Sequence, residues 1–344
     1  MQKLLTIEGD LLNDDGELIE AGYATRLIKK YDRSKIKAGS LRIKEWDYYL
    51  IYNDDYAVAL TLDDNSYMGL NSFTLIDFNK PCEITKSPMR FMPKGKTNFP
   101  ASSEVGDVKD ESKNYLFDFK NDGKTRILSV WLKNFKDGKD VTAEFVLTDE
   151  PKDSMVIVTP FAEKKTAFYY NQKIVGMKAS GRVVIGDDVI EFNNKNTRAI
   201  LDWGRGVWTY KNTWYWGAGC GIVNGKEIGF NIGYGFGDTS SASENMLFVN
   251  GKAHKLENVI FNIPKKSNGE DDFMKPWTFS SSDKRFEMDF VPIIDRHSNA
   301  NVLVISSNQH QVFGKFSGTM VLDDGTKIEL KNFLGFAEKV MNKW

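Results

Sequence analysis

The chain has 344 residues, of which 41% are hydrophobic and 27% are charged, with 46 basic and 47 acidic side chains. These proportions are typical of a globular protein in water, and a net charge of -1 argues against nucleic acid or an anionic membrane as the main partner. A chain of this length usually forms two domains.

Cysteine and histidine are rare. Cys82 and Cys220 lie far apart and match neither a metal-binding spacing nor a disulfide framework, which favours a reducing compartment. The histidines, His254, His297 and His310, have no metal-pair spacing. The N-terminus has no apolar signal core, and no window approaches the ~18 apolar residues of a membrane span. We therefore expect a cytoplasmic protein with no cofactor, no metal and no membrane span.

Residues 44–49 alternate charged and aromatic side chains, which predicts a strand near the N-terminus. Period-two alternation places Glu45 and Asp47 on one face and Trp46 and Tyr48 on the other. We interpret the acidic face as solvated and Trp46 as a core residue.

Helical patterns are scarce along the chain. Residues 23–31 could form a short helix, and residues 331–344 could close the chain as another, with Glu338 and Lys339 on its solvated side. Residues 86–113 contain three prolines and predict a long surface excursion.

Turn-forming dipeptides, Asn-Gly and Asp-Gly, recur through the chain and favour the positive φ angles of tight hairpin turns. Strand–turn–strand patterns cover residues 181–192, 247–256 and 319–330. Many short strands with such turns predict an all-β fold, an antiparallel sandwich or barrel. We place a boundary near residues 165–178, which gives an N-terminal domain 1–170 and a C-terminal domain 171–344.

Residues 202–217 form an aromatic cluster that contains four of the eight tryptophans. Buried Trp and Tyr need partners for their N–H and O–H groups, so such a cluster suits a pocket for a flat, apolar or cationic ligand better than a dry core. On one strand, Trp214 and Trp216 would share a face, with Tyr215 opposite. We expect at least two of the four tryptophans to line the main cavity. The predicted ligand-binding residues are Trp203, Arg205, Trp208, Tyr210, Trp214 and Trp216.

Alternate glycines follow the cluster at positions 217, 219 and 221. Such glycines remove side chains from one face of a strand, so a ring or a ligand can lie against it. We expect this space beside the tryptophans. A nucleotide-binding loop is disfavoured, because strands flank these glycines on both sides.

Two carboxylates are candidate catalytic residues. Asp202 precedes Trp203, and a carboxyl group against aromatic walls loses solvation, so its pKa rises and it can act as an acid near neutral pH. The alternative is that Asp202 pairs with Arg205 or caps a turn. Glu244 is the second candidate, with ordering of a loop as its alternative.

Several motifs resemble those of an uncharacterised bacterial family, a domain of unknown function. They are Asp-Trp-Gly-Arg-Gly-Val-Trp at 202–208, Trp-Tyr-Trp at 214–216, Gly-Phe-Asn-Ile-Gly at 229–233, Ser-Glu-Asn at 243–245, and segments 44–49, 313–318 and 335–338 with Trp344. The family is distantly similar to the calycin branch that holds carotenoid 1,2-hydratases, AttH-like proteins and tocopherol cyclases. The resemblance implies two lipocalin-like β-barrel or sandwich domains packed side by side, a fold that holds apolar ligands.

Hydratases and cyclases of that branch protonate an alkene with an acid beside aromatic rings, whose faces stabilise the resulting cation. The resemblance implies this role for Asp202 and the neighbouring tryptophans. The hydratase site also uses a histidine, and none of the three histidines lies in the aromatic cluster, so the link is one of fold.

Three functions are consistent with these features. The first is binding of an apolar or aromatic small molecule, lipid or isoprenoid-like, in a hydrophobic pocket. The second is an acid-catalysed hydratase, cyclase or isomerase that uses Asp202. The third is a carbohydrate-binding or glycan-processing β-sandwich, since exposed tryptophans also stack on sugars. A deep cavity favours the first two, and a flat tryptophan platform favours the third.

Overall fold

The computed structural model describes residues 2–302 and 305–343, so Trp344 of the C-terminal motif lies outside the described residues. Two large antiparallel sheets curl into half-barrels that pack against each other. The predicted all-β fold, with two lipocalin-like units side by side, is confirmed. No helix within the described ranges is long and apolar enough to cross a bilayer.

The first sheet and two small ribbons use the chain up to residue 207. The strands are β1 Gly9–Asp10, β2 Gly22–Ala24, β3 Lys29–Lys30, β4 Ile43–Tyr52, β5 Tyr56–Asp64, β6 Met68–Leu70, β7 Ser72–Asp77, β8 Cys82–Lys86, β9 Met89–Phe91, β10 Val108–Ser112, β11 Tyr115–Asn121, β12 Arg126–Lys136, β13 Lys139–Thr148, β14 Met155–Pro160, β15 Phe168–Ile185, β16 Asp188–Phe192 and β17 Arg198–Val207. The strand order is β10-β11-β12-β13-β15-β17-β4-β5-β7-β8, with β14 and β16 on β15 and β2 on β14. Short 3-10 helices at Arg33–Lys35 and Ser40–Arg42 precede β4.

The second sheet uses the remainder of the described chain. Its strands are β18 Lys211–Val223, β19 Lys226–Tyr234, β20 Met246–Val249, β21 Lys252–Lys255, β22 Val259–Asn262, β23 Trp277–Ser281, β24 Phe286–Val302, β25 Ile305–Val321 and β26 Lys327–Lys343. Their order is β21-β20-β19-β18-β26-β25-β24-β23-β22. The chain passes from one sheet to the other at residues 208–210, whereas the division into domains 1–170 and 171–344 stays a prediction.

The three predicted hairpins are confirmed as β15–β16, β20–β21 and β25–β26. The two predicted helices are wrong. Part of the first is strand β2, and the second is strand β26, which forms hydrogen bonds with β18 on one side and β25 on the other. Pairing along both edges outweighs the weak helical pattern of this segment. The predicted excursion over residues 86–113 contains β9 and β10.

Apolar side chains form three layers, one inside each half-barrel and one between the two sheets. Strand alternation distributes them. On β17, Leu201 and Trp203 belong to the core of the first half-barrel, and Ile200 belongs to the middle layer. On β18, Trp216 belongs to that same middle layer and Tyr215 packs against the core of the second half-barrel. Any space between the sheets is therefore lined by alternate residues of β17 and β18.

The acidic face of β4 is buried, so its interpretation as a solvated face is wrong. Only 2% of Glu45 and 7% of Asp47 are exposed. Both lie on the inner face of the first half-barrel, where Arg205 donates hydrogen bonds to Asp47 Oδ1 at 3.0 Å and to the carbonyl oxygens of Trp46 and Pro100 at 2.8 and 3.1 Å. A central strand of a curled sheet has both faces covered, and alternation alone does not reveal this.

Replacing Arg205 by Met should lower the free energy of unfolding by about 3–5 kcal/mol, because Asp47 would remain buried without its ion-pair partner. Chemical denaturation measures the change. The matched control is Arg26→Met, whose pair with Glu8 has side chains that are 64% and 66% exposed and should be worth less than about 1 kcal/mol. Losses of equal size at the two positions would contradict a structural role for the buried pair.

Candidate functional site

A row of polar side chains crosses the face of the first sheet that is turned toward the second. Lys173 on β15 is the register partner of Asp202 on β17, Asp202 is the partner of Tyr48 on β4, and Tyr48 is the partner of Thr61 on β5. Residues directly opposite each other in antiparallel strands place their side chains on the same face. The register therefore aligns four residues that are far apart in sequence.

A second row crosses the facing side of the other sheet. Trp216 on β18 is the register partner of Glu338 on β26, Glu338 is the partner of Gln311 on β25, and Gln311 is the partner of Arg296 on β24. Gln311 Oε1 accepts a hydrogen bond from Arg296 at 3.0 Å. The row on the second sheet thus contains the carboxyl group of Glu338 and the amide of Gln311. They face the Lys173–Asp202 ion pair and the Tyr48 phenol of the first sheet.

The rows contact each other across the interface. The ammonium of Lys173 lies 3.8 Å from the centroid of the Trp216 ring and 3.0 Å from Asp202 Oδ1. Gln311 Nε2 donates to the Tyr48 hydroxyl at 3.2 Å and to Glu338 Oε2 at 3.1 Å. These contacts fix the relative position of the two sheets at this point.

A cavity of about 330 Å³ lies between the rows. This volume is at the lower end of the range for small-molecule sites. Its aromatic lining consists of Trp46, Tyr48, Tyr169, Trp208, Trp214, Trp216 and Phe236. Its charged lining consists of Asp63, Glu83, Lys173, Asp202, Glu244, Arg296 and Glu338.

Five of the residues predicted for the site line this cavity: Asp202, Glu244, Trp208, Trp214 and Trp216. The two tryptophans of β18 share the cavity face because they are two residues apart. Between them, Tyr215 points into the second half-barrel, where its ring lies 5.8 Å from that of Phe261.

The other three predicted residues do not line the cavity. Trp203 faces the first half-barrel and packs edge-to-face on Tyr170, with ring centroids 5.5 Å apart. Arg205 lies on that same inner face, and Tyr210 is 46% exposed. The expected alternative of an Asp202–Arg205 ion pair is wrong, because an odd spacing on β17 puts these side chains on opposite faces.

Asp202 is instead paired with Lys173, which sequence reasoning missed. Its Oδ1 accepts a hydrogen bond from Asn171 Nδ2 at 2.6 Å as well as the Lys173 ammonium at 3.0 Å. Both partners lie on β15, within residues 165–178, where the sequence predicts a domain boundary and no strand. The available signal was a lysine within a run of aromatic and β-branched residues, which is unusual for a solvated loop.

Glu338 is the second residue that sequence reasoning missed, because the segment was interpreted as a helix with this residue in solvent. Only 3% of the residue is exposed. Its Oε1 accepts a hydrogen bond from Trp214 Nε1 at 3.1 Å. Burial raises the pKa of Glu338 to about 7, although the Trp214 hydrogen bond and the charge of Lys173 act in the opposite direction. This carboxyl group can therefore exchange a proton near neutral pH.

Glu244 approaches the cavity from the loop between β19 and β20. A Cβ at Gly233 would lie 2.7 Å from Glu244 Oε1 and 2.7 Å from the backbone oxygen of Tyr215, so the close packing at this point requires glycine. Asn231 accepts a hydrogen bond from Trp216 Nε1 at 2.7 Å and donates to the Glu244 carbonyl at 2.8 Å. Burial raises the pKa of Glu244.

The alternate glycines of β18 do not open space beside the tryptophans, so that prediction is wrong. Gly219 lies on the opposite face of β18, where an added Cβ would lie 3.0 Å from the Phe230 ring in the second half-barrel. The glycine that admits a cavity ring is Gly204 on β17, where an added Cβ would overlap the Trp46 indole.

The arrangement combines acid–base groups with aromatic surfaces. A protonated Glu338 can donate a proton, and the Asp202 carboxylate, held by Lys173, can accept one. Among residues 2–302 and 305–343, no group of three or more His, Cys, Asp or Glu side chains is placed to hold a metal ion.

A profile of the family described as a domain of unknown function (DUF2804) matches residues 2–344, and the chain belongs to this family. The resemblance seen in the motifs is confirmed. No curated protein matches the sequence.

Two solved structures match this chain. A putative AttH from Nitrosomonas europaea is 12% identical with a TM-score of 0.55, over 87% of this chain and 92% of that chain. Kievitone hydratase from Nectria haematococca is 11% identical with a TM-score of 0.46, over 91% of this chain and 92% of that chain. At 12% identity, the likeness to the AttH protein shows a shared fold alone.

Glu338→Gln should change how stability depends on pH. Because the pKa of Glu338 is raised from 4.5 to about 7, the parent loses stability as pH rises through this window, whereas a glutamine has no proton to lose. The variant and parent should differ little below about pH 4.5, and the variant should be more stable above about pH 7 by up to about 3 kcal/mol. Urea denaturation across the pH range measures this.

The control is Glu329→Gln, a solvent-exposed glutamate on the same strand, which should leave the pH profile of unfolding close to that of the parent. A constant difference between Glu338→Gln and the parent at all pH values would show that the carboxyl group does not titrate in this window.

Proposed function

We propose that this member of the DUF2804 family binds a flat apolar or aromatic small molecule, lipid or isoprenoid-like, in the cavity between its two sheets. The single observation that carries the proposal is the convergence of Trp208, Trp214 and Trp216 on one cavity that several polar side chains also line. Aromatic walls with a few convergent polar groups are the usual composition of small-molecule sites.

The rings of the cavity hold one another in place. Trp46 stacks on Tyr169 with centroids 5.7 Å apart and an interplanar angle of 13°. Trp208 meets Trp46 edge-on at 5.3 Å, and Phe236 meets Trp214 edge-on at 5.1 Å. Walls that are packed in this way lose little conformational entropy when a ligand binds, which favours affinity.

Burial of the tryptophans supports this function over a carbohydrate platform. Only 4% of Trp208 and 5% of Trp216 are exposed. Sugar-binding platforms present flat rings to solvent, whereas these rings are enclosed between two sheets. A ligand must enter the space between the sheets to reach them.

Acid catalysis in the same cavity is the second candidate function, and the pKa of Glu338 near 7 is the observation that favours it. In a hydration, Glu338 would give its proton to an alkene carbon. Water would add to the adjacent cationic carbon, and its excess proton would pass to the Asp202 carboxylate. We thus assign the proton-donating role first given to Asp202 to Glu338, with Asp202 as the acceptor and Glu244 as a further candidate.

The aromatic walls should determine affinity. Trp214→Ala and Trp216→Ala should each weaken the binding of 2-naphthalenemethanol by about tenfold or more, because each removes a ring face from the cavity. Isothermal titration calorimetry gives the dissociation constants. Trp131→Ala is the matched control, since Trp131 lies on β12 and its indole donates to Asp140, away from the cavity. Unchanged affinity in both cavity variants would remove the proposed site.

The catalytic candidate can be tested on the natural ligand. Native mass spectrometry of protein purified from its own host identifies the bound molecule, which is then incubated with the protein in water labelled with heavy oxygen. The parent should introduce one labelled oxygen. Glu338→Gln should slow this by about 100-fold or more and still bind the molecule, because a general acid contributes a factor of that size.

Glu329→Gln should incorporate the label at the parental rate. A ligand that binds to the parent and acquires no label would exclude the hydratase and leave the binding function in place.

A further inference from the structure

We infer that the ligand of this cavity carries a positive charge, as an ammonium group beside its flat apolar body. This inference rests on the proposed binding function and specifies the class of molecule that is bound. It follows from the balance of charge, from the aromatic surfaces and from an unpartnered acceptor in the lining.

Carboxyl groups outnumber cations in the cavity. Among the described residues, the lining contains the carboxyl groups Asp63, Glu83, Asp202, Glu244 and Glu338, against the cations Lys173 and Arg296. A low-dielectric space with such an excess of carboxyl groups attracts cations and repels anions once these groups are ionised.

Among the described residues, neither cation of the lining forms an ion pair with its two buried glutamates, Glu244 and Glu338, although the charge of Lys173 acts on both. Lys173 forms its ion pair with Asp202, and Arg296 donates to the neutral amide of Gln311. Glu338 accepts hydrogen bonds from Trp214 and Gln311, which are neutral donors. Within the described part of the chain, the Glu244 carboxyl group accepts one long hydrogen bond, at 3.5 Å, from the amide of Asn231. A bound cation would supply the missing charge.

Burial raises the pKa of both glutamates, and that of Glu338 reaches about 7. The elevation reflects the free-energy cost of ionising these buried carboxyl groups, which the charge of nearby Lys173 reduces only in part. A ligand ammonium in the cavity would reduce that cost, so part of its binding energy would come from relief of this penalty.

The aromatic lining suits an ammonium group as well as an apolar body. Lys173 already places its ammonium 3.8 Å from the centroid of the Trp216 ring, which shows that a ring face of this lining accepts a cation. The negative face of an indole attracts cations more strongly when water is excluded. Trp46, Trp208 and Trp214 add three more indoles to the same enclosed space.

One further acceptor in the lining has no donor. Asn342 lies on β26 on the same face as Glu338, is 3% exposed, and lines the cavity. Its Oδ1 is buried and receives no hydrogen bond from any of the described residues. An unsatisfied buried acceptor costs free energy, and the N–H groups of an ammonium are suitable donors. A neutral hydroxyl could serve Asn342 but would leave the carboxylates uncompensated.

Three compounds of the same shape test this inference: 2-naphthylmethylamine, 2-naphthalenemethanol and 2-naphthoic acid, titrated into the full chain by calorimetry at about pH 8. The amine is then a cation, the alcohol neutral and the acid an anion. We expect the amine to bind at least about tenfold more tightly than the alcohol, and the carboxylate most weakly.

An alcohol that binds as tightly as the amine, or more tightly, would overturn the inferred charge and leave the binding function standing. Absence of measurable binding for all three compounds would overturn both proposals.

Glu338→Gln should reduce the ratio of amine to alcohol affinity by about fivefold, because it removes a charge and keeps the shape of the side chain. Glu244→Gln is the second variant and should act in the same direction. Glu329→Gln, on the exposed side of β26, should keep the parental ratio. A parental ratio in both cavity variants, with parental melting temperatures, would contradict the inference.

Discussion

The arrangement of the site depends on the contacts of the Lys173 ammonium group. This group lies between Asp202 of the first sheet and the Trp216 ring of the second. An ammonium group withdrawn from water costs several kcal/mol unless charge and ring faces compensate it. The compensation here comes from both sheets together, so the buried ammonium favours the mutual position of the sheets that is observed. The relative position of the two sheets also determines the shape of the cavity beside Lys173.

The two faces of strand β17 carry polar groups with different surroundings. On the inner face of the first half-barrel, Arg205 forms hydrogen bonds with Asp47 and with several carbonyl oxygens. On the outer face, Asp202 lies in a cavity with carboxyl groups that have few or no charged partners. A buried charge with an ion-pair partner stabilises a fold, whereas a carboxyl group without an ion pair remains available to a ligand. This difference is why we place function on the outer face.

The binding and catalytic proposals use the same physical features. Rings and carboxylates that favour a stable ammonium also favour a transient carbon cation, because both place positive charge at the same surfaces. The raised pKa of Glu338, which lets it hold a proton near neutral pH, favours the catalytic proposal. The excess of carboxyl groups over cations favours the binding of an ammonium group. The shared fold with the AttH protein does not decide between them, since one fold can carry unrelated chemistries.

Local sequence features determined the fold class and the hairpins. Turn dipeptides and alternation predicted the strands that surround residues 186, 250 and 324, and a spacing of two put Trp214 and Trp216 on one face. Neither feature carries information about which distant strand lies alongside. Only the tertiary structure decided that Lys173, and not Arg205, is the partner of Asp202. It also decided that Glu338 lies in a buried strand and not on the solvent-exposed side of a helix. Period two is a property of the backbone at each residue. Register and the burial of both faces depend on contacts between separate strands, 31 residues apart for Asn171 and Asp202 and 124 residues apart for Trp214 and Glu338.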